Sequence, residues 1–214
     1  MKKFLLILAI LLLMPVKGFC ENVVPQYVSI EHTSTLGLYQ APSEIVLFKE
    51  PYASSTIVHS ISWIGNKIFP ESVKASDLFI VFLPQKNLGF LAVTDETDDW
   101  VQVIYNNSTG DKGWIKKDDP YRFMSWIMFY NMYGKKYGLN LLKEAPPEAK
   151  DLHTSTDDKS QIVGTINMPQ KINLNVMRGN WALVSVMDID RTPKTGYVRW
   201  RSDNGIKYYF PAIK

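Results

Sequence analysis

The clearest hydrophobic pattern in this chain is an alternation of apolar and polar positions in two separate segments. In residues 100–105 (WVQVIY) and 181–186 (WALVSV), β-branched and aromatic side chains recur at every second position. Such a period lets one face of a strand be buried while the other face stays polar. Both segments are therefore predicted to be strands, with Trp100 and Trp181 in the core.

Similar sequences surround the two strands, which indicates an internal repeat. The first strand leads through a turn at 106–110 to Gly113-Trp114-Ile115, and the second leads through residues 190–194 to Gly196-Tyr197-Val198. Short runs of this kind between turn clusters are typical of small sandwiches or barrels. Upstream, each copy has a short segment that begins with Leu and ends with Pro, at residues 47–51 in the first copy and 142–146 in the second. A polar loop with an Ile-Val pair follows, at residues 54–58 and 160–164.

An apolar segment between the copies is predicted to be a helix. Asp119 is suited to cap it, Pro120 to occupy its first turn, and Gly134 to end it. A connector as apolar as this is expected to be buried. One helical stripe carries large apolar side chains: Phe123, Trp126, Ile127 and Tyr130.

The chain is predicted to end in a hairpin. Residues 197–201 and 206–210 are rich in aromatic side chains, and Asn204-Gly205 lies in the turn between them. An Asn-Gly step between two such runs favours a tight hairpin turn, because both residues tolerate a positive φ.

The order of these features resembles the bacterial SH3 domain family. In that family a strand with Trp-x-x-Val lies beside a closing strand with Gly-Trp-Val. Residues 100–103 with 113–115 are similar to this pair, and residues 181–184 with 196–198 are similar with Tyr197 in place of Trp. The frequent Asn-x-Arg of the family is absent from both copies.

The resemblance implies a mainly β protein with two small SH3-like barrels joined by one apolar α-helix. Family members typically bind cell-wall peptides or glycans, or target wall hydrolases, so a ligand of that class is expected here. The insertion in the first copy, with an apolar strand at Phe79–Leu83, is unusual for the family. The implied division is a signal peptide at 1–20, a first domain at 36–119 with an insertion at 63–89, a linker helix at 120–137 and a second domain at 138–214.

The N-terminal residues have the organisation of a cleavable secretory signal. A positively charged start precedes the apolar run at residues 4–14 (FLLILAILLLM), and Pro15 follows it. This run is too short for a membrane-spanning helix, which takes roughly 20 apolar residues. Cleavage is expected after Cys20 or, alternatively, after Gly18, which leaves an extracytoplasmic protein that is periplasmic or secreted and has no transmembrane anchor.

Removal of residues 1–20 would change both the charge and the thiol content. It would take the formal charge from +3 to zero, and Cys20 is the only cysteine. A neutral chain offers no basic face to nucleic acid, and a Cys-His hydrolase needs a thiolate. Lipid attachment to Cys20 stays open as an alternative, although Phe19 and Lys17 depart from the lipoprotein motif.

The sequence shows no pattern typical of an enzyme, a metal site or a cofactor site. His32, His59 and His153 are far apart in sequence and are interpreted as ordinary surface or loop histidines. The chain is therefore predicted to have no catalytic residues, metal or cofactor, and a carboxylate-dependent hydrolase is the third hypothesis. Acidic pairs and one Asp-Ile-Asp run fall where turns or helix caps are expected: residues 98–99, 118–119, 157–158 and 188–190.

Aromatic side chains, 13% of the residues, are the remaining candidates for binding. Their flat faces can stack on sugars or hold extended peptides. Those at loop edges or in the closing strands are predicted to line a groove: Tyr39, Tyr52, Trp114, Tyr197 and Trp200. The leading hypothesis is a non-catalytic module that binds a cell-envelope peptide or glycan.

The alternative is an adaptor or inhibitor that contacts an envelope protein. In this hypothesis the apolar helix is the contact surface, and the chain should associate in a concentration-dependent way. The contact residues would be Phe123, Trp126, Ile127 and Tyr130.

Overall fold

The structure is a computed structural model that describes residues 35–118, 121–167, 170–188 and 191–213. It is mainly β, and its strands form two antiparallel sheets, so the predicted class is confirmed. Among the described strands neither sheet closes on itself through pairing of its two outermost strands. The closed barrels implied by the family resemblance therefore stay a prediction.

The first sheet has nine strands in the order β4-β3-β2-β8-β7-β6-β1-β9, with β5 paired to β6. A short helix α1 (Ala75–Leu78) and a 3-10 turn (Pro84–Lys86) lie within the predicted insertion. The strands are β1 (Gly37–Gln40), β2 (Glu44–Phe48), β3 (Ile57–Ile64), β4 (Lys67–Phe69), β5 (Val81–Leu83), β6 (Leu88–Glu96), β7 (Trp100–Asn106), β8 (Asp111–Lys116) and β9 (Phe123–Ser125).

The second sheet has seven strands in the order β12-β11-β15-β14-β13-β10-β16. A 3-10 turn (Pro147–Lys150) precedes β11. The strands are β10 (Leu139–Leu141), β11 (Asp151–His153), β12 (Ile162–Thr165), β13 (Ile172–Arg178), β14 (Trp181–Met187), β15 (Pro193–Arg199) and β16 (Tyr209–Pro211).

The central strands of the two sheets pair in the same register. Val103 lies opposite Gly113 in the first sheet, and Val184 lies opposite Gly196 in the second. The register also shifts at the same place, after Val93 in β6 and after Leu174 in β13. The two sequence copies therefore correspond to two copies of one strand arrangement.

An outer hairpin joins each central hairpin in the same way. Phe48 of β2 pairs with Trp114 of β8, and His153 of β11 pairs with Tyr197 of β15. The register of each outer hairpin shifts immediately before this residue, because the partner strand has an extra residue there, Val58 in one copy and Val163 in the other. Phe48 and His153 therefore occupy the same structural position.

The loops of the outer hairpins also match. The Lys49 N–H donates to the Thr56 carbonyl oxygen, and the Thr154 N–H donates to the Gln161 carbonyl oxygen, both at 2.9 Å. The aliphatic steps of the two copies correspond as predicted. The predicted match of residues 47–51 with 142–146 was wrong. Leu47 and Leu152 occupy equivalent positions in the two outer hairpins, whereas Leu142 follows the end of β10.

Two glycines explain why the Gly-aromatic-aliphatic step recurs. A Cβ atom at Gly113 would lie 3.0 Å from Leu47 Cβ, and one at Gly196 would lie 2.9 Å from Leu152 Cβ. Glycine lets the outer strand approach the central hairpin closely in both copies.

The predicted linker helix begins later than expected, and Gly134 lies within it rather than at its end. Asp119 and Pro120 lie outside the described residues, and Phe123–Ser125 is strand β9 rather than helix. The Ser125 hydroxyl accepts a hydrogen bond from the Met128 N–H and so acts as the N-cap. The helical segment consists of α2 (Trp126–Phe129), a π-helical turn (Tyr130–Gly134) and α3 (Lys135–Tyr137), and it ends at Gly138 rather than Gly134.

This helical segment is buried between the two sheets, as its apolar sequence predicts. The Phe129 ring lies 5.6 Å from the Phe90 ring of β6 and 5.6 Å from the Phe210 ring of β16. The Tyr130 hydroxyl donates to the Tyr209 carbonyl oxygen. One hydrophobic core therefore includes residues of both sheets and of the helical segment.

The C-terminal hairpin has the predicted turn but not the predicted strand pair. The Gly205 N–H donates to the Ser202 carbonyl oxygen, and Gly205 alone in the turn has a positive φ, of 84°. Beyond it one isolated bridge joins Arg201 to Lys207. The final strand then pairs with β10, so it forms one edge of the second sheet instead of extending a hairpin with β15.

Candidate functional site

Trp100 and Trp181 are core residues, as predicted from the alternation. Each is 8% exposed, and each ring meets the equivalent neighbour edge-on. The ring centroids are 5.4 Å apart for Phe48 and Trp100 and 5.3 Å apart for His153 and Trp181. The position beside the buried Trp is thus apolar in one copy and polar in the other.

The five aromatic residues predicted to line a groove do not meet at one site. Tyr39 and Trp200 have 0% exposure and Trp114 has 7%, so the prediction of ligand contact is wrong for these three, whose side chains are buried. Tyr52 is 54% exposed in the turn after β2, and Tyr197 is half-buried in β15. These two lie on different sheets.

The residues predicted to contact a partner protein lie against the chain's own cores: Phe123, Trp126, Ile127 and Tyr130. Trp126 is 5% exposed and Tyr130 is fully buried, so a partner cannot reach either ring in this structure. The exposed face of the helical segment carries Met128 and Met132 instead. The predicted partner surface is therefore corrected to core for these two rings.

A cavity of about 460 Å³ opens in the second copy, between the 3-10 turn Pro147–Lys150, the outer hairpin and the end of β15. Pro146, Ala149 and Ile162 supply its apolar surface. Its polar lining comes from Glu148, Asp151, His153, Asp158, Arg199 and Tyr208. This concentration of charged groups around one concave surface makes it the candidate functional site.

The wall of the cavity is fixed from behind by Tyr209. The Tyr209 hydroxyl donates to the Ala149 carbonyl oxygen at 2.6 Å. Burial raises the pKa of Tyr209, and the nearby Asp151 carboxylate raises this pKa further, so the hydroxyl keeps its proton. Asp151 itself accepts a hydrogen bond from the Thr165 hydroxyl at 3.1 Å.

His153 is the most buried polar residue of the lining, with 7% exposure. Its Nδ1 lies 3.4 Å from the Ser160 hydroxyl, and its Nε2 makes no hydrogen bond within the described part of the chain. The prediction of an ordinary surface or loop histidine was wrong here, because the end of β11 places the ring beside Trp181. His59 is half-buried in β3, and His32 lies outside the described residues.

Arg199 is held by carboxylates on two sides. It donates to Asp158, which lies in the outer hairpin loop, and to Asp203 at 2.5 Å. Its guanidinium carbon lies 5.9 Å from the centroid of the Trp181 ring. The hydrogen bond that Arg199 donates to Asp203 is the main cause that raises the pKa of Arg199, so the guanidinium stays charged. Asp158 occupies the predicted turn, but it also holds Arg199.

The lining carries more negative than positive charge. Asp158 is paired with Arg199, whereas Glu148 and Asp151 form no ion pair with any described lysine or arginine. Within residues 35–118, 121–167, 170–188 and 191–213, no three His, Cys, Asp or Glu side chains are grouped as metal ligands. Of the Asp-Ile-Asp run, Ile189 and Asp190 lie outside the described residues. The cavity is therefore an acidic site without a chelating geometry.

Sequence reasoning missed most of this site because its residues are spread between 146 and 208. A useful signal was the repeat itself. Once Trp100 is matched to Trp181, the outer-hairpin residue beside the Trp is Phe48 in one copy and His153 in the other. A polar residue in one copy at the position where the other copy has an apolar residue indicates that this position differs in function between the copies.

No helix among the described residues is long and apolar enough to cross a membrane. Comparison with known proteins adds no functional assignment to the site. The chain matches no protein-family model and no curated protein sequence.

Proposed function

We propose that this chain is a non-catalytic, extracytoplasmic binding module for a peptide or glycan of the cell envelope. The observation that carries the proposal is the polar cavity of the second copy. Side-chain hydrogen bonds hold Asp151 and Arg199, and the Tyr209 hydroxyl holds the backbone at Ala149, as preorganised binding sites require. The apolar start of the sequence supports export.

The SH3-like interpretation of each copy belongs to this proposal. It is supported by the outer hairpin that joins the central hairpin next to the Gly-aromatic-aliphatic step in both copies. The family resemblance in turn supports a wall peptide or glycan as the ligand. Fold resemblance alone does not identify a function, so the cavity is the stronger support.

Hydrolysis is the second candidate, because three carboxylates line the same cavity. A glycosidase needs two carboxyl groups on opposite sides of one bond, one of which donates a proton. Here Asp158 is engaged by Arg199 and Asp151 by the Thr165 hydroxyl. These fixed contacts favour binding over proton transfer.

The test is co-sedimentation of the purified protein with insoluble peptidoglycan. We expect the protein in the pellet, with an Asp151→Asn variant released more readily than the wild type. Glu50→Gln is the matched control, since this exposed acid lies in the loop after β2, outside the cavity. A wild-type protein that stays wholly in the supernatant contradicts wall binding, and soluble fragments released over time would favour the hydrolase.

A further inference from the structure

We infer that the cavity of the second copy recognises a cationic group, the ammonium of a lysine-type side chain on a peptide. This inference rests on the proposed binding function and deepens it. It separates peptide from glycan, because a neutral sugar carries no charge for the acidic lining to attract.

The first support is the charge balance of the cavity. Asp158 and Arg199 neutralise each other, and Arg199 is drawn further by Asp203. Glu148 and Asp151 are then left without a basic partner among the described residues, although they line the same concave surface. Two carboxylates on one side of a cavity favour a positive ligand group and repel an anionic one.

The second support is independent of the acids. The His153 ring is more than nine-tenths buried and lines the cavity, yet its Nε2 has no hydrogen-bond partner within the described residues. The Nε2 atom itself is not fully buried, so it is open to a hydrogen bond with a ligand in the cavity. A peptide bound in the cavity can hydrogen-bond this nitrogen with its backbone.

The third support concerns the kind of cation. A divalent metal requires several converging ligands, and no such group of three exists in the described part of the chain. An ammonium on a flexible stem instead needs one or two carboxylates and a surface for its methylenes. Tyr208, Ile162 and Pro146 provide that surface within the same cavity.

The experiment is a titration of the full-length protein followed by nuclear magnetic resonance of its indole and backbone N–H groups. The probe is Ala-Lys-Ala with blocked termini. The matched probes are the same peptide with an acetylated lysine Nζ, and chitotriose as a neutral glycan. We expect the lysine peptide to shift the Trp181 indole signal and to bind at least tenfold more tightly than the acetylated peptide, with affinity falling as salt is raised.

Two variants locate the effect. Asp151→Asn and Glu148→Gln are each expected to weaken the lysine peptide about three- to tenfold, since each removes one charge from the lining. Glu50→Gln removes the same charge from the loop after β2, outside the cavity, and should leave the affinity unchanged. All three changes are isosteric, and unfolding in urea checks that the variants remain folded.

The outcomes separate this inference from the proposed function. Equal binding of the two peptides, or chitotriose binding without lysine-peptide binding, overturns the cationic ligand while leaving the envelope-binding module in place. Failure of every probe together with failure to sediment with peptidoglycan contradicts both.

Discussion

Phe48 and His153 occupy the same place in the two copies, yet they give those places different chemistry. Phe48 meets Trp100 with an apolar edge, and the residue across from Trp100 in β8 is the exposed Lys116. The first copy thus has the framework without a buried polar group beside its Trp.

In the second copy the same framework holds a polar cluster. His153 meets Trp181, and the residue across from Trp181 is Arg199, which binds two carboxylates. The connection before the outer hairpin is also longer, at residues 142–150 against 41–43, and its 3-10 turn forms one wall of the cavity. The same strand arrangement is thus present in both copies, and in the second copy it forms this cavity.

The largest expected effect tests whether the two frameworks are equally strong. Trp100→Ala and Trp181→Ala should each lower the free energy of unfolding by about 3–5 kcal/mol, because both rings are buried against an aromatic neighbour. Urea unfolding measures both losses. A loss below about 1 kcal/mol in either variant would show that its Trp is not part of a close-packed core.

The next effect sharpens the comparison at the two glycines. Gly113→Ala and Gly196→Ala should each destabilise by about 1–3 kcal/mol through overpacking. The loss should be larger at Gly196, where the new Cβ also lies 3.1 Å from the His153 carbonyl oxygen, whereas at Gly113 the nearest atoms all belong to the Leu47 side chain. Thermal and urea unfolding compare them, and the reverse order would contradict the stated contacts.

A smaller effect depends on pH and is specific to the second copy. Lys207 lies two residues before β16, where Tyr121 lies two residues before β9 in the first copy. Burial, with a smaller contribution from Arg201, lowers the pKa of Lys207 from 10.5 to about 7. The Trp126 ring, 4.0 Å from its Nζ, partly offsets this by attracting the ammonium.

The effect of Lys207 on the free energy of unfolding depends on whether the folded or the unfolded chain holds its proton. Below about pH 7 the ammonium is charged in both states and its burial destabilises the fold, whereas between about pH 7 and 10 only the unfolded chain keeps the proton. Lys207→Met should therefore stabilise the protein by about 1–2 kcal/mol at pH 6, with the gain shrinking towards pH 10. Urea unfolding at both pH values measures it. A gain that is constant with pH would contradict the lowered pKa.

The smallest expected effect concerns an exposed aliphatic side chain present in both copies. Ile57 is 55% exposed and Ile162 is 51% exposed, so substitution of either by Ser should change the free energy of unfolding by less than about 0.5 kcal/mol. Only Ile162 lines the cavity. Ile162→Ser should therefore weaken the lysine peptide while Ile57→Ser does not, and equal binding by the two variants would remove Ile162 from the ligand surface.

The sequence by itself determined the strands, the repeat and the main core residues. Alternation about Trp100 and Trp181 predicted two buried strands, and the recurring Gly-aromatic-aliphatic step predicted the repeat. These features are local, because the side-chain period of a strand is read from residues that are neighbours in the sequence. The helix between the copies was placed correctly as a buried element but not at its ends, since Phe123–Ser125 pairs with β1, which lies about 85 residues earlier in the chain.

Only the tertiary structure decided which polar residues meet. Glu148, His153, Asp158 and Arg199 come from a turn, one hairpin and the end of a strand, and strand register brings them to one cavity. Likewise, Tyr39 and Trp200 were predicted at a groove, but their burial depends on which sheet face is covered, which pattern alone does not fix. Long-range strand pairing and packing determine the site, so sequence spacing could predict the strands around the cavity but not the residues that line it.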